Sequence, residues 1–404
     1  MESVIRLPAG SQESVRTKAI AASKRWLALD LLRFLAVALM VQGHLWFVVI
    51  SDAVREERWY GYHGYVHGFT APLFLFSAGA AFGLTTLRRW DEHARWGMAV
   101  AKRMERYLIL IGLGYAIHFG AMKLSWLMGL SPERFARVTR VDALQHIGAV
   151  LFIMEALVVI LKRKAWFLGT WAVLGVLAVG CAPWVWNLDV SSWPVPLAAY
   201  VNASTSSIFP IVPWAGFIVA GLMVARFVEH RRAHAPEGWR QVAIPLAVLG
   251  AGLIIIGDQL AHASWDPFPE HNFWKTSPWF FFIRVGTVIS ALAVLCGLEQ
   301  AMTHIEDIGD GRALRFVQMI GSQTLVIYVA HLFVIYGAGP IPGFGARWPR
   351  ELGVPDAILV TMVLFGMMAA LAWLWKWTKT KHPIAFDRVR YLVTLGLIAA
   401  FLFR

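Results

Sequence analysis

Cysteine and charged side chains are the residue types that this 404-residue chain has little of. Its two cysteines, Cys181 and Cys296, both lie in apolar runs, where a small buried side chain is a far more common role than a disulfide or a metal ligand. Charged residues form 15% of the chain, whereas soluble domains carry about 25%. The sequence therefore gives no disulfide framework, and it does not fit an ordinary soluble domain.

The apolar residues, 58% of the chain, fall into blocks of roughly 20 residues, the length of helix that spans a hydrocarbon core about 30 Å thick. We predict an all-α, polytopic membrane helix bundle of about 11 transmembrane helices. The bundle forms one domain over residues 26–404, after a basic cytoplasmic tail at residues 1–25. The predicted spans cover residues 26–50, 69–87, 105–125, 142–161, 166–187, 208–228, 241–260, 280–300, 315–337, 355–375 and 386–403.

Lysine and arginine are concentrated in alternate loops, and this bias predicts the orientation. Loops after even-numbered spans hold clusters such as residues 88–103, 162–164, 231–240 and 376–381, whereas the loop at 188–207 has no lysine or arginine. The 124–141 loop, with three arginines, is the exception. By the positive-inside rule the N-terminus is cytoplasmic and the C-terminus lies outside. The formal charge of +12 reflects this bias, and no basic patch interleaved with aromatics suggests nucleic acid.

The first predicted span carries a polar stripe. Arg33 and His44 are eleven residues apart, close to three whole turns, so they share one helix face about 16 Å apart. Asp30, three residues before Arg33, can pair with it. Ionisable groups inside a span are costly and usually mark a site or a pathway. The alternative is an ion pair that anchors the helix end, with a packed histidine further along.

Two histidines four residues apart, His63 and His67, lie in the predicted outer loop between spans one and two. Imidazole titrates near neutral pH and suits general-base work on a hydroxyl or an amine. A pair at this spacing could also bind a metal, but no carboxylate or cysteine pattern accompanies it, and we expect no metal site.

Cations also cluster at the start of span three, with Arg103 and Arg106 on the cytoplasmic side. A helix N-terminus rich in arginine suits an anionic, phosphate-bearing ligand. The alternative is ordinary positive-inside anchoring.

Further polar residues interrupt the later spans. Gln145 begins span four, Asp258 ends span seven opposite in charge to Arg284 at the start of span eight, and Tyr328 and His331 lie in span nine. Each alone is more often a contact between helices than a site. Together they predict polar walls around a cavity.

The residues resemble known membrane acyltransferases. Arg33-x10-His44 followed by Arg103-x-x-Arg106 looks like the paired signature of the acyltransferase 3 proteins. The fuller resemblance is to the catalytic domain of heparan-α-glucosaminide N-acetyltransferase and its bacterial relatives, and it covers most of the chain. The matching stretches, in family order, are Leu29-Asp30-x-x-Arg33, His63-x4-Gly68, Pro72-Leu-Phe-Leu-Phe76, Leu144-Gln145-x-Ile147, Phe209-Pro-x-x-Pro-Trp214-x-Gly216 and Thr324-x3-Tyr328-x2-His331.

The resemblance implies a transmembrane acyltransferase of a bacterial inner membrane that moves an acyl group, with acetyl expected, from cytoplasmic acetyl-CoA to a sugar hydroxyl or amine on the outer side. It implies catalytic roles for His63, His44 and His67. It implies a donor site and an acceptor site as well. The donor residues are Arg33, Asp30, Arg103, Arg106, Gln145 and Trp214, and the acceptor residues are Arg284, Asp258, Tyr328 and His331.

The expected partners are acyl-CoA, an extracytoplasmic sugar or glycan and membrane lipid, and the sequence leaves a monomer or a homodimer open. The rival function is a transporter or flippase for an amphiphilic or glycan-linked solute. It predicts inverted repeats and discontinuous spans, and the sequence shows no internal repeat of that kind.

Overall fold

The computed structural model describes residues 26–119, 123–234, 240–303, 311–337 and 341–403. The predicted basic tail at residues 1–25 lies outside the described residues. Within these ranges the chain is helical, and its β pairing is an isolated bridge between Ile50 and Leu352. The protein is an all-α, polytopic helix bundle, as the sequence predicted.

The longer described helices, of ten residues or more, are labelled here in chain order. They are Leu27–Val49 (α1), Arg58–His67 (α2), Thr70–Arg88 (α3), Met98–His118 (α4), Ala143–Leu161 (α5), Lys164–Gly180 (α6), Ile211–His234 (α7), Arg240–Ala261 (α8), Pro278–Thr303 (α9), Arg312–Ser322 (α10), Thr324–Tyr336 (α11), Val354–Lys381 (α12) and Pro383–Phe403 (α13). Shorter helices join them at Asp52–Arg55, Trp90–His93, Leu124–Met128, Pro132–Val138, Ala182–Trp186, Val195–Val201, Ala203–Thr205, Phe273–Thr276 and Phe344–Arg347.

Seven described helical segments are long and apolar enough to cross a membrane, and α2 joined to α3 forms one of them. The pair α10 and α11 makes an eighth if it counts as one span, although it bends by 75°. Three predicted spans correspond to α4, α6 and α13, which miss these criteria of length and hydropathy. The described helices therefore establish a multi-spanning protein, while the number of eleven crossings and the cytoplasmic N-terminus stay predictions.

Helix α1 lies between two hydrophobic cores. One core contains buried residues of α1, α3, α5, α7 and α9, and the other contains those of α1, α10, α11 and α12. Glycines let helix backbones approach within the first core: a Cβ added at Gly79 of α3 would overlap the backbone of Ile218, and one at Gly221 of α7 the backbone of Phe76. Close packing through small residues is the usual way in which helices associate where lipid removes the hydrophobic drive.

Polar groups fix the first turn of α1. Its backbone N–H at Ala28 has no partner within the helix and donates to the Glu299 carboxylate of α9, at 2.9 Å. Glu299 also pairs with Arg232 of α7, at 3.2 Å. These contacts fix the N-terminal end of α1. His44, near the other end of the helix, therefore lies at the opposite end of the bundle.

The predicted outer loop that holds His63 and His67 is a helix in the structure, α2. Two glycines within it lower its intrinsic helix propensity, and aromatic contacts with α1 and its neighbours hold it. The segments between α6 and α7 and between α8 and α9 contain the short helices Val195–Val201 and Phe273–Thr276.

Candidate active site

Four histidines meet at the C-terminal end of α1, and together they are called here the histidine cluster: His44, His63, His67 and His331. The ring centre of His44 lies 5.3 Å from that of His331 and 6.2 Å from that of His67. The rings of His63 and His67 are 6.2 Å apart. His44 is therefore the residue that links the two histidines of α2 to the one on α11.

The absence of a side chain at Gly43 makes this meeting possible. A Cβ at Gly43 would overlap the imidazole of His67, so the ring lies directly against the α1 backbone. Nε2 of His67 is buried, with no hydrogen-bond partner among the described residues. A buried polar atom without a partner costs free energy, and in a site it is available to a ligand.

His63 is held on three sides. The side-chain amide of Gln42 donates to its Nε2 at 2.7 Å, and its ring is stacked between Trp46 and Tyr60, with ring centres at 4.9 and 5.1 Å. These contacts fix the orientation of the imidazole. They occupy Nε2, whereas Nδ1 is buried without a hydrogen-bond partner among the described residues.

In both His331 and His44, the ring nitrogen Nδ1 has a hydrogen-bond partner. Nδ1–H of His331 donates to the carbonyl of Ile327 at 2.9 Å, so its Nε2 carries the lone pair, and that atom is buried without a partner among the described residues. Nδ1 of His44 lies 3.2 Å from the hydroxyl of Tyr336. The hydroxyl orients the His44 ring and leaves Nε2 for chemistry.

A second polar group centres on Asp142 at the N-cap of α5, beside the predicted site residue Gln145. One carboxylate oxygen accepts from the backbone N–H of Ala143 at 2.8 Å, and the other lies 3.4 Å from Nε2 of His118 and 3.9 Å from Arg140. Burial raises the pKa of Asp142, but the bonds from His118 and Ala143 outweigh it, so the pKa is lowered. Asp142 is therefore ionised at neutral pH.

The Asp142 carboxylate is near enough to act electrostatically on His44, Tyr328 and Tyr336, so it lies at the same end of the bundle as the histidine cluster. Gln145 completes the capping box at the same helix start. The sequence signal for this group was the Asp-x-x-Gln spacing of a capping box before an apolar run. The predicted residues that the structure brings together here are His44, His63, His67, His331, Tyr328 and Gln145.

Arg284 lies beside this site among aromatic rings. Its guanidinium is 4.3 Å from the ring centre of Phe280 and 5.6 Å from that of Trp214, and one of its nitrogens is 3.7 Å from the position that a Cβ at Gly68 would take. Arg284, Trp214 and Lys275 line a small pocket. Asp258 is exposed and pairs with His262 at 3.5 Å, so it does not neutralise Arg284.

The predicted donor residues are divided between two places. Asp30 and Arg33 form the predicted pair, at 3.8 Å. Arg103 lies instead in a buried network, 3.2 Å from Glu155 and within hydrogen-bond distance of His93 and Thr86. None of the described hydrogen-bond or ion-pair partners of Arg103 belongs to α1.

His93 completes this network. Burial, with Arg103 as the next cause, lowers the pKa of His93. A neutral His93 can donate from Nδ1 to Glu155, at 3.1 Å, and accept at Nε2 from Arg103, at 3.0 Å.

Residues 25–263, more than half of the chain, match the family described as heparan-alpha-glucosaminide N-acetyltransferase, catalytic. This chain belongs to that family. The match covers α1 to α8 and includes His44, His63, His67 and Asp142, while His331 and Arg284 lie beyond it. No curated protein matches the sequence. Family membership and the apolar helices together identify an integral membrane protein of the N-acetyltransferase type.

Proposed function

We propose that this member of the family transfers an acetyl group from cytoplasmic acetyl-CoA to a sugar hydroxyl or amine on the outer side of a bacterial inner membrane. The observation that carries the proposal is the histidine cluster at one end of α1, with Arg33 on the same helix near its other end. A donor whose phosphates lie near Arg33 can extend its pantetheine arm toward His44, because the two residues are about 16 Å apart.

His44 is the proposed general base. Its Nδ1 is held by Tyr336, so Nε2 takes the proton from the acceptor hydroxyl or amine as that group attacks the thioester carbonyl. The C–S bond breaks as the new C–O or C–N bond forms, and the proton passes from His44 to the sulfur, which leaves as the CoA thiol. General-base catalysis of this kind contributes about 10²- to 10⁴-fold.

The other histidines have supporting roles in this proposal. His67, with its buried Nε2 beside the Gly43 backbone, is placed to donate to the oxygen that becomes negative during attack. His63, stacked and hydrogen-bonded to Gln42, is a positioning residue that fixes α2 against α1. His331 contacts His44 and Tyr328 and completes the wall of the site.

The surface beside Arg284 is the proposed acceptor subsite. Trp274, which is exposed, offers a flat apolar surface on which a sugar ring packs, and Arg284 offers a cation with no carboxylate paired to it among the described residues. Trp214 is buried and packs against Arg284. Asp258, exposed at the end of α8, would contact only a large acceptor. On the donor side, Arg106 is exposed and available, whereas Arg103 supports the fold of α4.

The rival function, a transporter or flippase, is favoured by one observation. If α10 and α11 form one span, their 75° bend makes that span discontinuous, which that function predicts. Flux of a glycan-linked solute without consumption of acetyl-CoA would support it.

The experiment that tests the proposal uses proteoliposomes with acetyl-CoA on one side and a sugar acceptor on the other, with product measured by mass spectrometry. His44→Ala should lower kcat at least about 100-fold. His262→Ala, an exposed histidine outside the cluster, is the control and should keep the wild-type rate. Unchanged activity of His44→Ala, or no transfer by the wild type with any sugar amine or alcohol, would overturn it.

A further inference from the structure

A cleft lies between α10 and α12, on the side of the bundle away from the histidine cluster's end of α1. Its volume is about 630 Å³, and its walls include three cations, Arg312, Arg315 and Lys376. The aromatic residues Trp373 and Trp377 form another part of the wall. Among the residues that the structure describes, no acidic side chain lines the cleft.

Helix α10 has the form of a helix that lies along a membrane surface. It turns by 75° from α11, so the two cannot both run along the membrane normal. Leu314, Met319 and Ile320 are buried against the bundle, whereas Arg312 and Arg315 are exposed. An apolar face toward the bundle and a basic face outward make α10 an amphipathic helix, with its two arginines accessible from outside the bundle.

The α12 wall of the cleft is exposed on the outside of the bundle. Trp373 and Trp377 are 56% and 43% exposed, and their stacked rings lie 6.4 Å apart. The exposed side of α12 continues toward its N-terminus with apolar residues such as Met362 and Met367. Tryptophan at a boundary between cations and apolar residues is typical of the level of lipid headgroups. The cleft thus has a phosphate-binding end and an apolar continuation.

The inner wall of the cleft is packed. Phe34 of α1 makes edge-to-face contacts with Phe316, at 6.3 Å, and with Phe365, at 5.9 Å between ring centres. Beyond them lie buried core residues such as Val37 and Leu364. A ligand in this cleft therefore extends outward along α12 and not inward toward His44.

We propose that the cleft binds the phosphate headgroup of an anionic phospholipid in the cytoplasmic leaflet, with the acyl chains along the exposed side of α12. Arginine forks donate to phosphate oxygens in pairs, and Lys376 adds a third cation. Each such basic residue near an anionic leaflet contributes favourable free energy of binding. The proposal does not depend on the acetyltransferase reaction.

The test uses the purified full chain in nanodiscs of phosphatidylcholine with increasing phosphatidylglycerol, and it measures bound lipid by native mass spectrometry and the Tm. Phosphatidylglycerol should be retained and should raise the Tm of the wild type. The double variant Arg312→Ala/Arg315→Ala should bind it about tenfold more weakly or worse. The control Arg240→Ala/Arg388→Ala removes the same charge outside the cleft and should bind like the wild type.

Two further arms distinguish a lipid headgroup from other phosphate-bearing ligands. In these arms inorganic phosphate or CoA is added to the wild type and to the double variant. Lys376→Gln is measured as a milder change if the double variant does not fold. Loss of lipid binding only in the cleft variants supports the proposal. Equal loss in the control variant would show general surface charge and overturn it. A CoA-dependent rise in Tm that the cleft variants lose, without a lipid effect, would also overturn it.

Discussion

At the scale of single residues, the backbone of Gly43 in α1 is in contact with the imidazole of His67 in α2. The sequence does not single out this contact, since glycine is common in membrane helices and His67 lies in a predicted outer loop. Their contact sets how closely α2 approaches α1, and through it the distance between His67 and His44. A change of one methyl group at this point is therefore expected to alter the site.

Gly43→Ala should displace the His67 ring and lower kcat for acetyl transfer by about tenfold or more, because misplacing a catalytic group by about 1 Å can cost up to about 100-fold. The matched control is Gly64→Ala on α2, where an added Cβ meets nothing within 4 Å. The control should keep kcat and gain a few tenths of a kcal/mol in stability, because alanine favours a helix. Equal kcat values for the two variants would contradict the role given to Gly43.

At the scale of helices and their contacts, the network of Arg103, Glu155, His93 and Thr86 ties α4 to α3, α5 and the Trp90–His93 helix. From sequence, Arg103 and Arg106 formed one motif on one helix. The packing separates them, because Arg103 faces the buried Glu155 whereas Arg106 faces outward. Helical spacing predicted their proximity to each other but could not predict which one meets a buried acid.

Glu155→Ala should lower the free energy of unfolding by about 3–5 kcal/mol, because Arg103 then stays buried without a counter-charge. Denaturant titration in detergent measures it, and Glu105→Ala, an exposed acid on α4, is the control with a change within about 0.5 kcal/mol. Arg103→Ala should likewise lower stability and leave the KM for acetyl-CoA unchanged. A raised KM with normal stability would return Arg103 to the donor site.

At the scale of the whole molecule, the proposed reaction needs the histidine cluster and the donor residue Arg33 toward opposite sides of the membrane. The polar groups are distributed in this way. Glu299, Arg232 and Arg33 lie toward one end of the bundle, and His44 and Asp142 lie toward the other. Which of these two ends faces the cytoplasm is predicted only by the distribution of lysine and arginine, through the positive-inside rule.

Cysteine labelling should establish the orientation. In a background of Cys181→Ala/Cys296→Ala, Ser192→Cys should react with an impermeant maleimide in intact cells, and Asp91→Cys only after permeabilisation, since both positions are exposed. A reporter fused after residue 404 should lie outside if the chain crosses eleven times. A cytoplasmic reporter would show an even number of crossings, which is expected if one of α4, α6 and α13 does not span the membrane.

The sequence by itself determined the class of structure. Apolar blocks of spanning length force helices, because backbone groups in lipid must be satisfied within the segment. The i,i+3 spacing determined the Asp30–Arg33 pair, and the order of short motifs indicated the family that the match over residues 25–263 establishes. Each of these properties depends on neighbours in sequence or on composition.

The tertiary structure alone decided which polar groups share the site. His331 and Tyr336 reach His44 from nearly 300 positions away in the chain, and Asp142 approaches from a different helix start. No local pattern specifies such contacts, because they depend on how α1, α5 and α11 pack. The same reason explains Arg284, which has no carboxylate partner among the described residues and lies among aromatic rings. It also explains the basic cleft between α10 and α12.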